Sequence, residues 1–269
     1  MSAPPVIEPP RRVVSLVPSL TESLFDLDLG DRLVAISDAC TRPAERLGGL
    51  PRVGGTKTPD VARIIALRPD LVLLNDEESR REDAEALAAA GISLWVTGPR
   101  SVLEAVGLLW QIMDVFDHPL MIPRVREIER AYDYTLAAAR ASAPVPVFVP
   151  IWRDPWMTFS ADTYAGDMLR VCGGANVFAQ GVAGSAARYP QITLDDVAAA
   201  QPEVILLPDE PYPFSHDDAA ELFRLDLPAA RFGRIYSIDG SLLMWHGTRA
   251  AYALRDLPLL LMVGRGASP

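Results

Sequence analysis

Two stretches of this chain, TPDVARIIALRPDLVLLND (58–76) and QITLDDVAAAQPEVILLPD (191–209), repeat each other at a shift of 133 residues. The shift places Pro69 on Pro202, and an aspartate ends both copies. Each copy predicts a short helix, a turn at the proline and an apolar strand that ends in a polar loop. The duplication therefore predicts two similar α/β lobes.

The segments around the repeat alternate between short apolar runs and helical patterns, which favours parallel sheets covered by helices. Ser19, with Glu22 three residues later, predicts a capping box at the first helix. The predicted strands are residues 13–17, 33–36, 71–74, 92–96, 147–149, 204–207 and 235–238. The predicted helices outside the repeat are residues 19–27, 80–90, 101–115 and 123–140.

The helix predicted at residues 123–140 is the longest, at roughly 26 Å. Val125, Ile128 and Tyr132 recur on one face, so one side of this helix is predicted to be buried. Its length suits a rigid connection between two lobes. The predicted domains are an N-terminal α/β lobe at 1–119, a connecting helix at 120–143 and a C-terminal α/β lobe at 144–269.

Composition excludes several classes of function. The chain has 269 residues, 49% of them hydrophobic, with 25 Lys and Arg against 35 Asp and Glu, a net charge of -10. A nucleic-acid partner is not expected, since no basic cluster with interleaved aromatics is present. No run of about 18 apolar residues predicts a membrane span.

The sequence leaves the cellular compartment open, and its two cysteines predict neither a disulfide nor a zinc site. Residues 1–12 lack the apolar core of a secretory signal, so the protein is periplasmic or extracellular if a leader was removed and cytoplasmic if Met1 is the native start. Cys40 and Cys172 fall on opposite predicted lobes, which disfavours a disulfide between them. Their spacing does not suit zinc.

The loops that follow the predicted strands of the second lobe are rich in aromatic side chains and stiffened by prolines. Ligands of open α/β sheets bind beyond the carboxyl ends of the strands, so these loops predict a preformed site for a large flat ligand. Arg153 is either a contact for an anionic group of the ligand or an ordinary surface arginine, and His246 is either a ligand to a metal already held in the bound molecule or, as the sequence favours, a plain loop histidine. The ring-bearing candidates there are Trp152, Trp156, Tyr212, Phe214 and Trp245.

The matching loops of the first lobe are polar. Lys57 and Thr56 follow the paired glycines of VGGTK, where backbone can approach a ligand closely. Asp76 ends the first copy of the repeat, and Arg42 is a second candidate for an anionic group. Polar loops are also common as plain solvated surface, so a ligand role and a surface role both remain open for this set.

Most enzymatic signatures are absent from the sequence. GGTKT lacks the spacing of a phosphate-binding P-loop, and there is no G-x-S-x-G elbow. A hydrolase using cleft carboxylates, Asp76 or Asp209, is the weakest alternative. The chain is predicted not to be an enzyme, and no catalytic or metal-ligating residue and no intrinsic cofactor is assigned.

The chain resembles the helical-backbone metal receptor superfamily, the two-lobed substrate-binding proteins of ABC importers. The resemblance rests on four stretches, of which the last two look most like the cobalamin-binding branch: RRVVSLVPSLTESLFDLDLGDRLVAIS (11–37), RVGGTKTPDVARIIALRPDLVLLN (52–75), LRVCGGANVF (169–178) and YPQITLDDVAAAQPEVILL (189–207).

This resemblance implies two Rossmann-like lobes with parallel sheets, joined by one long helix, with a metal-chelate ligand bound in the cleft between them. A corrinoid is expected first, and a siderophore or haem next, for import through an ABC permease. By position the resemblance adds Tyr189 to the ligand-binding set.

The chain also departs from its relatives. In relatives that dock on a permease, an acidic residue near the start of the repeated helix in each lobe pairs with arginines of the transporter. At these positions this chain has Asp195 in the second lobe but Ala62 in the first. Cys172 has no cysteine partner near the C-terminus. Ala62 and the lack of a leader-like segment in residues 1–12 leave open an alternative, a cytosolic ligand-binding or sensing module of the same fold that works without a permease.

Overall fold

The strands form two four-stranded parallel sheets in the computed structural model, which describes residues 8–182 and 187–262. The first sheet has the order β2-β1-β3-β4, with strands β1 (Val13–Ser15), β2 (Leu33–Ile36), β3 (Leu71–Asn75) and β4 (Ser93–Thr97). The second has the order β6-β5-β7-β8, with β5 (Val145–Phe148), β6 (Gly174–Asn176), β7 (Val204–Pro208) and β8 (Ile235–Ile238). The two sheets thus share one topology, and the predicted fold class is confirmed.

Helices connect the strands of both sheets. Those from the first half of the chain are α1 (Pro18–Asp26), α2 (Val61–Leu67), α3 (Arg81–Ala89), α4 (Val102–Val115) and α5 (Ile122–Arg140). Those from the second half are α6 (Tyr164–Val171), α7 (Leu194–Ala200), α8 (His216–Leu222), α9 (Pro228–Arg231), α10 (Ser241–Met244) and α11 (Ala250–Met262).

The chain divides into two compact units, each built on one sheet. The first unit contains the chain up to Pro99, then Glu104–Ile128 and His246–Arg249. The second contains Arg100–Leu103, Glu129–Trp245 and the chain from Ala250. The long helix α5 therefore starts in the first unit and ends in the second. The sequence-based domain limits of 1–119, 120–143 and 144–269 stay a prediction.

The repeat is visible in the backbone of α2 and α7. Both helices have seven residues, and each ends at a left-handed residue before a proline, with φ 50° and ψ 57° at Arg68 and φ 49° and ψ 54° at Gln201. Asp60 caps α2 by accepting a hydrogen bond from the Arg63 N–H, and Thr193 caps α7 through a full capping box. The same local rules thus turn each helix into its strand.

Each repeated helix is anchored by one fully buried aliphatic side chain. Ile64 of α2 and Val197 of α7 are both completely shielded from solvent. Ile64 packs in the core of the first unit with Val14, Val72 and other aliphatic residues, and Val197 packs in the core of the second. The remaining helical positions are mostly exposed or half-buried, which is the pattern of a helix lying on one face of a sheet.

The first helix differs from the sequence prediction. Pro18 occupies the first turn of α1, Val17 is the N-cap, and no side chain caps the helix, so the capping box at Ser19 was wrong. Pro at this position is preorganised for a helix and lacks the N–H that a cap would satisfy. Glu22 is therefore available for a different partner, Arg249.

Candidate ligand-binding site

Aromatic rings from two loops form one cluster at the carboxyl ends of β5 and β7. Trp152 meets Tyr212 edge to face, with ring centroids 5.7 Å apart. Tyr212 lies 4.8 Å from Phe214, which stacks on Trp156 at 5.7 Å and an interplanar angle of 14°. The structure thus brings together four of the rings that the sequence singled out.

Exposure divides the cluster into a base and a rim. Phe214 is only 9% exposed and belongs to the core of the second unit, so it packs under the other rings. Trp156 and Tyr212 are half-buried against the same core. Trp152 is 44% exposed, so a large part of its side chain is accessible to a ligand. The rim of this cluster therefore carries a large apolar surface at the place where α/β sheets bind ligands.

The loop after β5 is a short antiparallel turn that also positions Tyr189. Met157 donates its N–H to the Trp152 carbonyl at 3.0 Å, and Ile151 donates to the Met157 carbonyl at 2.8 Å. Ile192 then donates to the Trp156 carbonyl at 2.9 Å, which fastens the segment after Tyr189 to this turn. Tyr189 is 38% exposed, and the Arg188 guanidinium lies 5.8 Å from its ring centroid.

Arg153 is engaged by two carboxylates of α8. Its guanidinium makes an ion pair with Asp218 and a second one with Glu221, where Nη2 and Oε2 are 2.7 Å apart. The same group lies 5.4 Å from the centroid of the Trp156 ring. The positive charge that the sequence offered for an anionic ligand is thus compensated inside the second unit, and the contact of Arg153 with a ligand stays a prediction.

Trp245 and His246 are buried after α10. Trp245 is 8% exposed and belongs to the second unit, whereas His246 is 5% exposed and belongs to the first. Burial lowers the pKa of His246 to about 4, so its imidazole is neutral at pH 7. Contact of Trp245 and His246 with a ligand stays a prediction.

The polar candidates of the first unit lie in two turns and a depression. Lys57 is exposed and Thr56 half-exposed in a turn closed by a bridge between Gly54 and Pro59. Gly54 has a φ of 86°, and a Cβ there would lie 2.6 Å from the Thr58 carbonyl oxygen. The turn itself therefore requires this glycine. A close approach of backbone to a ligand is not needed to explain it.

Asp76 and Asp209 occupy the same place in the two copies of the repeat. The Asp209 carboxylate accepts a hydrogen bond from the Gly240 N–H at 2.7 Å, which links the ends of β7 and β8. In the first unit a Cβ on Gly98, which follows β4, would lie 1.9 Å from the Asp76 carboxylate. Both aspartates thus lie against a glycine that follows the neighbouring strand, which is a bracing position.

Arg42 lines a depression of about 480 Å³ in the first unit. Two residues of its wall, Glu22 and Arg249, were not predicted as site residues. Arg249 donates from Nε to Glu22 Oε2 at 2.9 Å, and a second contact joins Nη2 to Oε1. Burial raises the pKa of Glu22, and the Arg249 guanidinium opposes this shift.

The segment that carries Arg249 is fastened to α1. Thr248 donates two hydrogen bonds to α1: its N–H donates to Ser23 Oγ at 3.0 Å, and its hydroxyl donates to Asp26 Oδ2 at 2.8 Å. Gly247 has a φ of 81°, and a Cβ there would lie 2.2 Å from Ser23 Oγ. Local sequence patterns cannot predict these contacts, because Thr248 and its partners on α1 are more than 220 positions apart.

Residues 8–182 and 187–262 contain neither a metal-ligating cluster nor a membrane-spanning helix. Within these ranges no group of three or more His, Cys, Asp and Glu side chains is placed to hold a metal ion. Over the same residues, no helix combines the length and the hydropathy needed to cross a bilayer.

Sequence comparison gives a match to the family described as periplasmic binding protein over residues 13–242. The vitamin B12-binding protein of Vibrio parahaemolyticus is 28% identical over 236 residues, which cover 86% of this chain and 82% of that protein. The vitamin B12-binding protein of Yersinia pestis is 32% identical over 198 residues, covering 73% of this chain and 69% of that protein.

Structural comparison points to the same class of fold. The periplasmic vitamin B12-binding protein BtuF of Vibrio cholerae matches with a TM-score of 0.81 at 21% identity, covering 96% of this chain and 99% of that one. The periplasmic heme-binding protein RhuT from Roseiflexus sp. RS-1 matches with a TM-score of 0.75 at 26% identity, covering 93% and 97%.

Proposed function

The chain belongs to the periplasmic binding protein family, and on that premise we propose that it captures a metal-chelate ligand, a corrinoid first, for ABC-type import. The observation that carries the proposal is the exposed Trp152 side chain on the ring cluster of the second unit. A porphyrin or corrin macrocycle presents a broad ring surface, so the indole of Trp152 supplies matching apolar area. Relatives named for vitamin B12 make the corrinoid the first choice, and those named for heme make a porphyrin the second.

Membership of this family confirms two predictions made from the sequence. The resemblance to two-lobed substrate-binding proteins of ABC importers is confirmed, and so is the prediction that the chain is a binding protein and not an enzyme. The alternative of a hydrolase that uses Asp76 or Asp209 is therefore not supported.

The polar side arms of such a ligand require polar partners. We assign this role to Arg42, Thr56 and Lys57 of the first unit. Arg42 lines the depression beside the Glu22–Arg249 ion pair, where its guanidinium group can donate to amide or carboxylate oxygens. Tyr212 of the second unit offers a hydroxyl group on a ring that contacts the exposed indole, and Tyr189 of the same unit is assigned a second hydroxyl contact.

Titration of the purified full chain tests the proposal directly. Cyanocobalamin, haemin and a ferric hydroxamate siderophore are each titrated against intrinsic tryptophan fluorescence and by calorimetry. Trp152→Ala is expected to raise the dissociation constant of the bound probe about tenfold, because one aromatic contact of this kind contributes about 1.4 kcal/mol. Phe232→Ala is the matched control, since Phe232 is 75% exposed and lies outside the ring-bearing loops. If the wild type binds none of the three probes, the proposal is contradicted.

Transporter docking is proposed to rely on one acidic residue. Asp195 is exposed in the first turn of α7, and its counterpart in the first turn of α2 is the exposed Ala62. Asp195→Asn is expected to reduce uptake of the ligand by cells and to leave the dissociation constant unchanged. Asp217→Asn, an exposed acid in the first turn of α8, serves as the control. Unchanged uptake in Asp195→Asn favours the alternative, a sensing module that works without a permease.

A location outside the cytoplasmic membrane is proposed on the same basis. The family and the structural relatives are named as periplasmic. Fractionation of native cells, followed by mass analysis of the N-terminus, tests this location. Recovery of the protein in the cytoplasm with Met1 retained would contradict it.

A further inference from the structure

A buried carboxylate links the two ring-bearing loops of the second unit. Asp218 is 2% exposed and uses both of its oxygens. Its Oδ2 accepts hydrogen bonds from the N–H and the hydroxyl of Ser215, both at 2.7 Å, while Oδ1 pairs with the Arg153 guanidinium. Ser215 directly follows Phe214, and Arg153 directly follows Trp152. Asp218 therefore joins the loop after β7 to the loop after β5.

The rings repeat this connection on a second path. The Arg153 guanidinium lies over the Trp156 ring, which stacks on Phe214, and Phe214 in turn contacts Tyr212. Tyr212 supports the exposed Trp152. The ring contacts thus lead from Arg153 back to its neighbour Trp152, and Asp218 links the same two loops by charge. We call this closed set of contacts the circuit.

The local charge argues against direct contact between Arg153 and an anionic ligand. One guanidinium faces the two carboxylates of Asp218 and Glu221, so the cluster carries a net negative charge. An anionic side arm brought to this place would meet repulsion as well as attraction. A buried carboxylate such as Asp218, by contrast, needs a cation to offset its lost hydration.

We propose that Arg153, Asp218 and Glu221 form a brace that holds the ring cluster in its binding geometry, with Arg153 as a positioning residue that does not touch the ligand. This inference rests on the proposed function for its effect on affinity. The brace preorganises Trp152 and Tyr212, which lowers the cost of ordering them when a flat ligand binds. The role differs from the anion contact expected from the sequence.

The test compares variants of the full chain in two measurements. Near-ultraviolet circular dichroism without any ligand reports the packing of the rings, and titration with cyanocobalamin and haemin reports affinity. Arg153→Met and Asp218→Asn are each expected to weaken the near-ultraviolet signal and to raise the dissociation constant about tenfold. The double variant is expected to lose no more than either single variant, because both changes break one circuit.

The charge of the probe separates a brace from a direct contact. Cyanocobalamin is neutral overall and haemin carries two carboxylates, so a brace predicts the same fold-loss for both. A loss in Arg153→Met that is confined to haemin overturns the inference. Arg153→Lys is expected to recover part of the affinity, since an ammonium group reaches one of the two carboxylates.

Two further variants keep the test decisive. Arg231→Met is the matched control, because Arg231 makes a comparable pair with Asp226 at 2.6 Å on the exposed surface of the same unit. Glu221→Gln replaces Asp218→Asn if loss of the hydrogen bonds between Asp218 and Ser215 prevents folding. A wild type that binds neither probe contradicts the proposed function alone. A near-ultraviolet spectrum of Arg153→Met identical to that of the wild type overturns the brace in either case.

Discussion

Acid sensitivity should be governed to a large extent by one buried imidazole. Burial lowers the pKa of His246 from 6.5 to about 4 in the folded chain. The unfolded chain therefore binds the proton more readily, and protonation favours unfolding. The contribution of this group to stability is complete well above pH 6.5 and is lost as the pH falls from 6.5 towards 4.

The size of the effect follows from the two pKa values. The full shift corresponds to about 3 kcal/mol, of which about 2 kcal/mol is lost between pH 7 and pH 5. Glu22 acts in the opposite direction, because its raised pKa makes the folded chain take up protons earlier. A comparison of wild type with His246→Gln cancels this opposing contribution, since both proteins retain Glu22.

Urea unfolding at pH 7 and pH 5, followed by fluorescence, measures the difference. The wild type is expected to lose about 2 kcal/mol more than His246→Gln over this interval. His216→Gln is the control, since His216 is exposed at the start of α8, and it should behave as the wild type. Equal losses in wild type and His246→Gln would refute the assignment of acid sensitivity to this buried imidazole.

Three other predictions concern the two units separately. Burial raises the pKa of the Cys172 thiol to about 12, so a thiol reagent at pH 8 should leave it unmodified until denaturant is added; rapid labelling of the native protein would contradict this. Arg249→Met should cost about 3 kcal/mol in urea unfolding at pH 7 and less at pH 5, where the buried Glu22 is more readily neutralised; an equal cost at both pH values would argue against the ion pair. Thr193→Ala should cost about 1 kcal/mol, and Asp60→Ala less, because only Thr193 has the reciprocal capping bond; the reverse order would contradict the cap assignment.

Local patterns accounted for most of the secondary structure. The helix predicted at 123–140 is α5, and the strand predicted at 235–238 is β8 with identical limits. Strand β6 was missed because Gly-Ala-Asn has no β-branched or aromatic residue to mark it. It exists because it pairs along β5 at the edge of the sheet, which is a long-range contact.

The candidate site was predicted less completely. Trp152, Tyr212 and Phe214 could be selected because aromatic residues after a strand are unusual and their position relative to the sheet follows from topology. The sequence could not predict which of these rings is exposed and which is buried, because that depends on which ring packs against the core in the folded structure. Asp218 resembled any acid in the first turn of a helix.

The sequence by itself determined the two-lobed α/β fold, because the repeat sets the same helix, turn and strand at two places through nearest-neighbour rules of capping, periodicity and proline geometry. Tertiary structure alone decided the partners of the charged groups. Glu22 meets Arg249 and Arg153 meets Asp218 because chain segments far apart in sequence are brought together by folding, and burial then makes each charge require the other.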